Sequence, residues 1–392
     1  MAPLTYPQIH PDIQLLERVG IGGMGEVFKG ILKGPGGFEK PIAVKTLLLD
    51  DPELKKAFLN EARILAKFSH PNIVQIFQAG LTSDNSPYLV LEWIDGSTLR
   101  EIFESRVPIK RALAPKYVCE ILRQALLGLN QVHNSEEPLS PETARIIHRD
   151  LSPHNLMIDK SGVVKIVDFG IAKLLKADRF TQTQALQGKL CYLAPELANG
   201  KSASEQSDLF SLGSIAYELL TGEKVFSGNS DFETLDQIKN GKVRELNLSS
   251  NAIPLNFQRV VNKLIQVDIT KRFKTAKEAY QDLEKIDLFT TCDSMELAQL
   301  LPDRKRVQPQ ESTLIENNIS NHQNQKSLFP KRLWLSLLIV TSLLAPVAYI
   351  LYHSNHDSLK NPPRDPATVQ ESRDPMKDFI EKTQNHINEG LK

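Results

Sequence analysis

The feature that most restricts how this chain can fold is the glycine run Gly20-Ile21-Gly22-Gly23-Met24-Gly25-Glu26-Val27. Glycine has no Cβ, so backbone N–H groups in such a run can approach phosphate oxygens closely. The same G-x-G-x-x-G spacing opens a helix in dinucleotide-binding folds, and alone it decides little. Context decides here. Residues 14–19 before the run and 26–32 after it both read as short strands, which puts the glycines in a hairpin and not at a helix start.

Further along, Ala43-Val44-Lys45 lies on a third expected strand, residues 41–48. Lys45 is a lone charge in an apolar run, which is costly unless it is paired. A partner is available in Glu61. It lies within residues 54–68, where Leu54, Phe58, Ala62, Leu65 and Ala66 recur at helical spacing. A Lys45–Glu61 pair would hold the ammonium ready for α- and β-phosphates. The run His148-Arg149-Asp150-Leu151-Ser152-Pro153-His154-Asn155 follows a strand-like Arg145-Ile146-Ile147. Asp150 can accept a hydroxyl proton and Asn155 can bind a metal. Asp168-Phe169-Gly170 follows the apolar residues 163–167 and sets a second carboxylate at a strand end. Mg²⁺ asks for hard oxygen ligands and only one or two carboxylates beside phosphates. Ala194-Pro195-Glu196 closes the loop that Asp168 begins.

The periodic segments span residues 12–287. Residues 73–79 and 88–92 read as strands, and 117–133 and 207–220 as helices. A sheet-rich half, about 12–95, is thus joined through residues 92–96 to a mainly helical half, about 96–287. Apolar residues make up 41% of the chain, enough for a large core. Lys+Arg and Asp+Glu are equal at 47 each, so no net field points to nucleic acid or to a membrane surface. The three cysteines form no C-x-x-C pair, which argues against a metal cage or a disulfide framework.

Residues 288–332 read as a polar linker, containing ESTLIENNISNHQNQKS. Residues 333–352, LWLSLLIVTSLLAPVAYILY, carry no charge over a length that crosses a bilayer core. They are expected to form one transmembrane helix. Lys331 and Arg332 favour the N-terminal side as cytoplasmic. Residues 353–392 are then a short extracytoplasmic tail.

Taken in order, these motifs resemble the protein-kinase signature set over residues 12–287. The resemblance implies an α+β, bilobal fold with a small β-rich N-lobe and a larger helical C-lobe, ATP in the cleft and Mg²⁺ as cofactor. It implies Lys45, Glu61 and Asp150 as catalytic residues and Asn155 and Asp168 as metal ligands. Nucleotide contacts fall to Gly20, Ile21, Gly22, Gly23, Gly25, Val27, Ala43, Lys45, Glu92, Ile94 and Met157, with Leu91 as gatekeeper and residues 92–94 as the adenine hinge. Leu65, His148 and Phe169 resemble members of the regulatory spine. Asp208 resembles the residue that steadies the catalytic loop, and Arg272 the partner of Glu196.

Two positions depart from the family pattern. Serine/threonine kinases carry Lys where Ser152 stands, and Thr after Gly188 where Lys189 stands. The expectation is that the cation has moved from one loop to the other, which adds Lys189 to the catalytic set. Tyrosine kinases usually carry Arg at the positions of Ser152 or His154, so the implied acceptors are serine and threonine hydroxyls of proteins. Thr181 and Thr183 resemble a regulatory pair of autophosphorylation sites, with Arg149 placed to receive the phosphate. A kinase domain, a polar linker and one span resemble the eukaryotic-like transmembrane serine/threonine kinases of bacteria. That implies an inner-membrane protein with a cytoplasmic kinase domain, lipid contact through one helix, and signalling through partners or a homodimer. The rival reading, a pseudokinase scaffold, would normally lack Lys45, Asp150, Asn155 or Asp168, and all four are present.

Overall fold

The computed structural model describes residues 9–21, 25–48, 50–106, 112–135, 146–169, 189–244, 246, 253–287 and 292–302. The expected transmembrane segment, tail and most of the linker lie outside these residues, as do Gly22, Gly23, Gly170, Thr181 and Thr183. Among the described residues no helix is long and apolar enough to cross a membrane.

The first half is an antiparallel five-stranded sheet of β1 (Ile13–Ile21), β2 (Gly25–Gly34), β3 (Phe38–Leu47), β4 (Ile76–Leu81) and β5 (Pro87–Glu92), in the order β1-β2-β3-β5-β4. Strand alternation divides its side chains. Ile42 and Val44 on β3 are fully buried in a cluster with Ile13, Phe28, Tyr88 and Val90. Ala43 and Lys45, which alternate with them, are only partly buried. Helix α1 (Pro52–Leu65) starts where the Asp51 carboxylate accepts the N–H groups of Glu53 and Leu54, with Pro52 as the first helical residue. It buries Leu54, Ala57, Phe58, Glu61, Ala62, Ile64 and Leu65, close to the face expected from spacing. The expected helix ran to residue 68. Instead its last bonds tighten to three-residue spacing, from Lys67 N–H to Ile64 and from Phe68 N–H to Leu65.

Strand β4 also begins later than expected. Residues 72–74 are drawn to the other half of the molecule. Asn72 donates to the Val164 carbonyl at 2.8 Å and accepts the Ile166 N–H through its own carbonyl at 2.9 Å, and the Val74 N–H reaches the Ile166 carbonyl at 3.0 Å. This stitch fixes how the sheet meets the helical half.

The helical half contains α2 (Leu99–Ser105), α3 (Pro115–His133), α4 (Pro195–Ala198), α5 (Glu205–Thr221), α6 (Asp231–Lys239), α7 (Leu255–Leu264) and α8 (Ala276–Glu284). A small sheet of β6 (Gly96–Thr98), β7 (Leu156–Asp159) and β8 (Val164–Ile166) lies beside them. Nearly every residue of α5 is buried, which makes it the central helix of this half.

The fold continues past residue 287, where the polar linker was expected to begin. Asp293 caps a further helix, α9 (Ser294–Ala298), by accepting the Glu296 N–H. Cys292, Leu297 and Leu300 are buried, and Lys116 of α3 pairs with Glu296 at 2.8 Å. This helix was not expected from sequence because the piece is too short to show a period, and its apolar residues count only against the surface they meet.

Candidate active site

The cleft between the halves collects the charged residues singled out from sequence. Lys45 on β3 donates to Glu61 Oε1 of α1 at 3.1 Å and to Asp168 Oδ1 at 2.9 Å. Burial opposes the charge on Lys45. The carboxylates of Asp168 and Glu61 outweigh that, so its ammonium is held above the usual lysine range. Lys45 in turn holds the Asp168 carboxyl below its ordinary value, against the opposing effect of burial. One oxygen of Asp168 is on Lys45, and its side chain remains half exposed, open to a further cation.

The catalytic loop hangs from Asp208 at the start of α5. Asp208 accepts the backbone N–H groups of His148 at 2.8 Å and Arg149 at 2.9 Å, and its Oδ2 meets His133 Nε2 at 2.9 Å. These bonds hold Arg149 at φ +67°, and Asp168 sits at φ +54°. Non-glycine residues adopt this left-handed region rarely, and it concentrates at functional loops. His148 is fully buried, and burial lowers its affinity for a proton. Its Nδ1 accepts the Asp150 N–H and its Nε2 faces the Val167 carbonyl at 3.2 Å, which assigns the proton to Nε2. Its ring packs 4.5 Å from that of Phe169. Leu65, His148 and Phe169 are all buried.

Asp150 is partly buried at the cleft floor. Asn155 donates its Nδ2 to the Asp150 carbonyl at 2.7 Å and to Asp150 Oδ2 at 3.1 Å. That orientation leaves the Asn155 amide oxygen as the atom offered to a metal. Lys189 Nζ lies 3.1 Å from Asp150 Oδ2, so the two loops named in the expected cation exchange do meet. Ser152 is buried and its hydroxyl has no partner.

Among the residues expected to contact nucleotide, Val27 pairs in register with Lys45, and Ala43 with Leu91. Ile94 is buried, and Met157 on β7 is partly buried against the core. A Cβ on Gly25 would overlap the Thr46 carbonyl oxygen, so this glycine is demanded by close strand contact. A Cβ on Gly20 would meet nothing within 4 Å, so open space lies beside it.

Some supporting residues carry no signal in the sequence. The Glu92 carboxylate accepts the Gln75 N–H and the Lys165 ammonium, each at 2.8 Å, which fixes the end of β5. Asn72, His133 and Lys165 each look like ordinary surface polar residues until the fold closes. Among the described residues no group of three or more His, Cys, Asp or Glu side chains gathers as a metal cage.

Residues 13–283 match the family model for the protein kinase domain. The chain is 36% identical over 293 residues to the serine/threonine-protein kinase PknB of Mycolicibacterium smegmatis, an alignment that covers 72% of this chain and 44% of PknB. It is 30% identical over 286 residues to the serine/threonine-protein kinase PrkC of Bacillus subtilis, covering 72% and 41%. This chain thus spans less than half the length of these relatives. The crystal structure of Rad53 residues 1–466 with AMP-PNP superposes with a TM-score of 0.55 at 30% identity, covering 69% of this chain and 64% of that one. With residues 13–283 matched and the cleft assembled in the same order as its motifs, this chain belongs to the protein kinase family.

Proposed function

We propose that this chain transfers the γ-phosphoryl group of ATP to serine and threonine hydroxyls of proteins. The observation that carries the reading is the convergence of Lys45, Glu61, Asp150, Asn155 and Asp168 on one cleft, each with its polar atoms held by bonds that suit its role. The acceptor class is supported by the names of PknB and PrkC as serine/threonine-protein kinases, and by the lack of Arg at positions 152 and 154. The presence of all four key side chains weighs against a scaffold role.

In this account Lys45, itself positioned by Glu61, holds the α- and β-phosphates. Asp150 orients the acceptor hydroxyl and takes its proton as the new O–P bond forms and the bond to the ADP oxygen breaks. Asp168 and the Asn155 amide oxygen are the residues that would hold Mg²⁺. One carboxylate and one amide with open coordination suit an ion that keeps waters and phosphate oxygens. When bound, that ion supplies neutralisation of the phosphate charge. The open space beside Gly20, the carbonyl side of Glu92, Ile94, Val27, Ala43 and Met157 are the nucleotide contacts we assign, with Ile21, Gly22, Gly23 and Gly25 completing the glycine loop.

Thr181 and Thr183 serve as autophosphorylation sites in this reading, with Arg149 receiving the phosphate. Residues 333–352 anchor the chain in the membrane, on the strength of their length and lack of charge. Residues 288–332 are the polar linker we assign, with α9 (Ser294–Ala298) folded within its first part.

The test is to incubate the full chain with γ-labelled ATP, Mg²⁺ and a mixed protein substrate, then map the labelled residues. Label on serine and threonine, including Thr181 or Thr183 of the chain itself, is expected. Label confined to tyrosine, or none at all, would reject the assignment.

A further inference from the structure

Phosphoryl transfer concentrates negative charge where the acceptor oxygen, the moving phosphoryl group and the Asp150 carboxylate meet. A fixed cation at that point lowers the barrier, because its attraction grows as the charge develops. Lys45 stands elsewhere, bound to Glu61 and Asp168. The catalytic loop from His148 to Asn155 has Arg149 as its one Lys or Arg. Ser152, two residues after Asp150, is 1% exposed, and its hydroxyl has no partner, so it offers the cleft neither charge nor a hydrogen bond.

An ammonium does reach this point from another element. Lys189 Nζ is 3.1 Å from Asp150 Oδ2, the same oxygen that Asn155 holds. The Lys189 side chain is partly buried at 28% exposure, and Asp150 at 14%. The backbone beneath Lys189 is anchored. The Lys189 carbonyl accepts the Tyr192 N–H at 3.1 Å in the short turn Leu190–Tyr192. The Tyr192 carbonyl accepts from Ser211 of α5 at 2.8 Å, and the Tyr192 hydroxyl bonds Glu218 of the same helix. The turn that carries the ammonium is thus tied to α5.

We infer that Lys189 is a further catalytic residue, and that the cation contacting the transferring phosphoryl group comes from the segment ending at Glu196 and not from the catalytic loop. This rests on the phosphotransfer reading above. Before substrates bind, Lys189 screens the Asp150 carboxylate. When the acceptor hydroxyl docks on Asp150, the ammonium bridges from that carboxylate to a γ-phosphoryl oxygen. The acceptor proton goes to Asp150, the new O–P bond replaces the one to ADP, and Lys189 stays protonated throughout. Because the cation rides on the segment that begins at Asp168, any rearrangement of that segment moves a catalytic group as well.

The experiment compares wild type, Lys189→Met and Lys189→Arg in the full chain. The readouts are kcat and KM for a peptide acceptor, the dissociation constant of a fluorescent ADP analogue, and the thermal midpoint. Lys189→Met should lower kcat by about 10- to 1000-fold, the range for loss of one preorganised donor. Its nucleotide affinity and melting should stay near wild type, because the contact strengthens in the transition state. Lys189→Arg keeps the charge and should retain more activity than Lys189→Met at equal nucleotide affinity. An active wild type with Lys189→Met at undiminished or raised kcat would overturn the inference and leave the phosphotransfer reading intact. So would a Lys189→Arg rate as low as that of Lys189→Met in proteins with wild-type melting. An inactive wild type would overturn the phosphotransfer reading itself, and the inference with it.

Discussion

Arg272 closes a two-pronged pair on Glu196, Nη1 to Oε1 at 2.8 Å and Nη2 to Oε2 at 3.1 Å, with both side chains almost wholly buried. Its remaining N–H groups go to the Gln206 and Gln266 carbonyls, so all five donors are used. Glu196 stands at the head of α4, and Arg272 lies in the turn before α8. The pair ties the end of the segment that carries Lys189 to the far side of the helical half. Arg272→Met strands a buried carboxylate and three backbone carbonyl bonds. Urea denaturation should show a loss of about 3–5 kcal/mol, the range for breaking a buried pair from one side. A loss below about 1 kcal/mol, the scale of an exposed pair, would show that the bond contributes nothing special.

The same carboxylate sets a pH dependence. Burial alone would raise the carboxyls of Glu196 and Asp208. Arg272 outweighs it at Glu196, and His133 with the His148 amide outweighs it at Asp208, so both lie below their ordinary values of 4.5 and 3.8. A depressed carboxyl contributes stability that is present above its unfolded value and is lost as pH falls through the folded value. The thermal midpoint should therefore fall as pH drops below about 4.5, the ordinary glutamate value. Glu196→Gln should start lower at neutral pH and fall less steeply. Parallel slopes for the two proteins would contradict this.

Gly162 and Gly200 separate backbone strain from packing. Both sit in the left-handed region, at φ +78° and +76°. A Cβ at Gly162 would overlap the carbonyl oxygen of Ser294, the first residue of α9, whereas one at Gly200 meets nothing within 4 Å. Gly200→Ala should cost about 1–2 kcal/mol from strain alone. Gly162→Ala should cost more, and it should also speed amide hydrogen exchange in residues 292–302. Unchanged exchange there would mean that α9 does not depend on this contact.

How far the fold could be read in advance depended on period and distance. The strands flanking the glycine run, and helices α1, α3 and α5, declare themselves because each has an apolar period long enough to count. Their ends move by a few residues where a longer-range bond takes over, as at residues 72–74, which join β8 instead of β4. Lys45 was legible because a charge in an apolar run demands a partner, and Glu61, Asp150, Asn155 and Asp168 because their motifs stand in the order of the protein-kinase signature set. Lys165 behind Glu92 was not, since a lysine in a three-residue strand gives no hint of which face it serves. Helix α9 was hidden because its core contacts belong to α3 and to the turn at Gly162.

Lys45 and Asp150 should separate binding from chemistry. Lys45→Met removes the ammonium from Glu61, Asp168 and the nucleotide phosphates together. It should weaken ATP binding by about 10- to 100-fold, the worth of a hydrogen bond to a charged group. Asp150→Asn should leave ATP affinity within about threefold of wild type, since Asp150 serves the acceptor hydroxyl. Equal losses of affinity in the two variants, measured by isothermal titration, would contradict this division of labour.

The most direct test of the whole account is the phosphoryl transfer rate of Asp150→Asn, measured in the full chain with γ-labelled ATP, Mg²⁺ and a peptide acceptor. The substitution keeps the size of the side chain and removes its charge, and with it the capacity to accept the proton and to pair with Lys189. The account predicts a fall of at least about 100-fold, the lower end for loss of a general base, with melting unchanged. A variant that melts like wild type and keeps more than about half of its rate, against the loss that base catalysis requires, would contradict it.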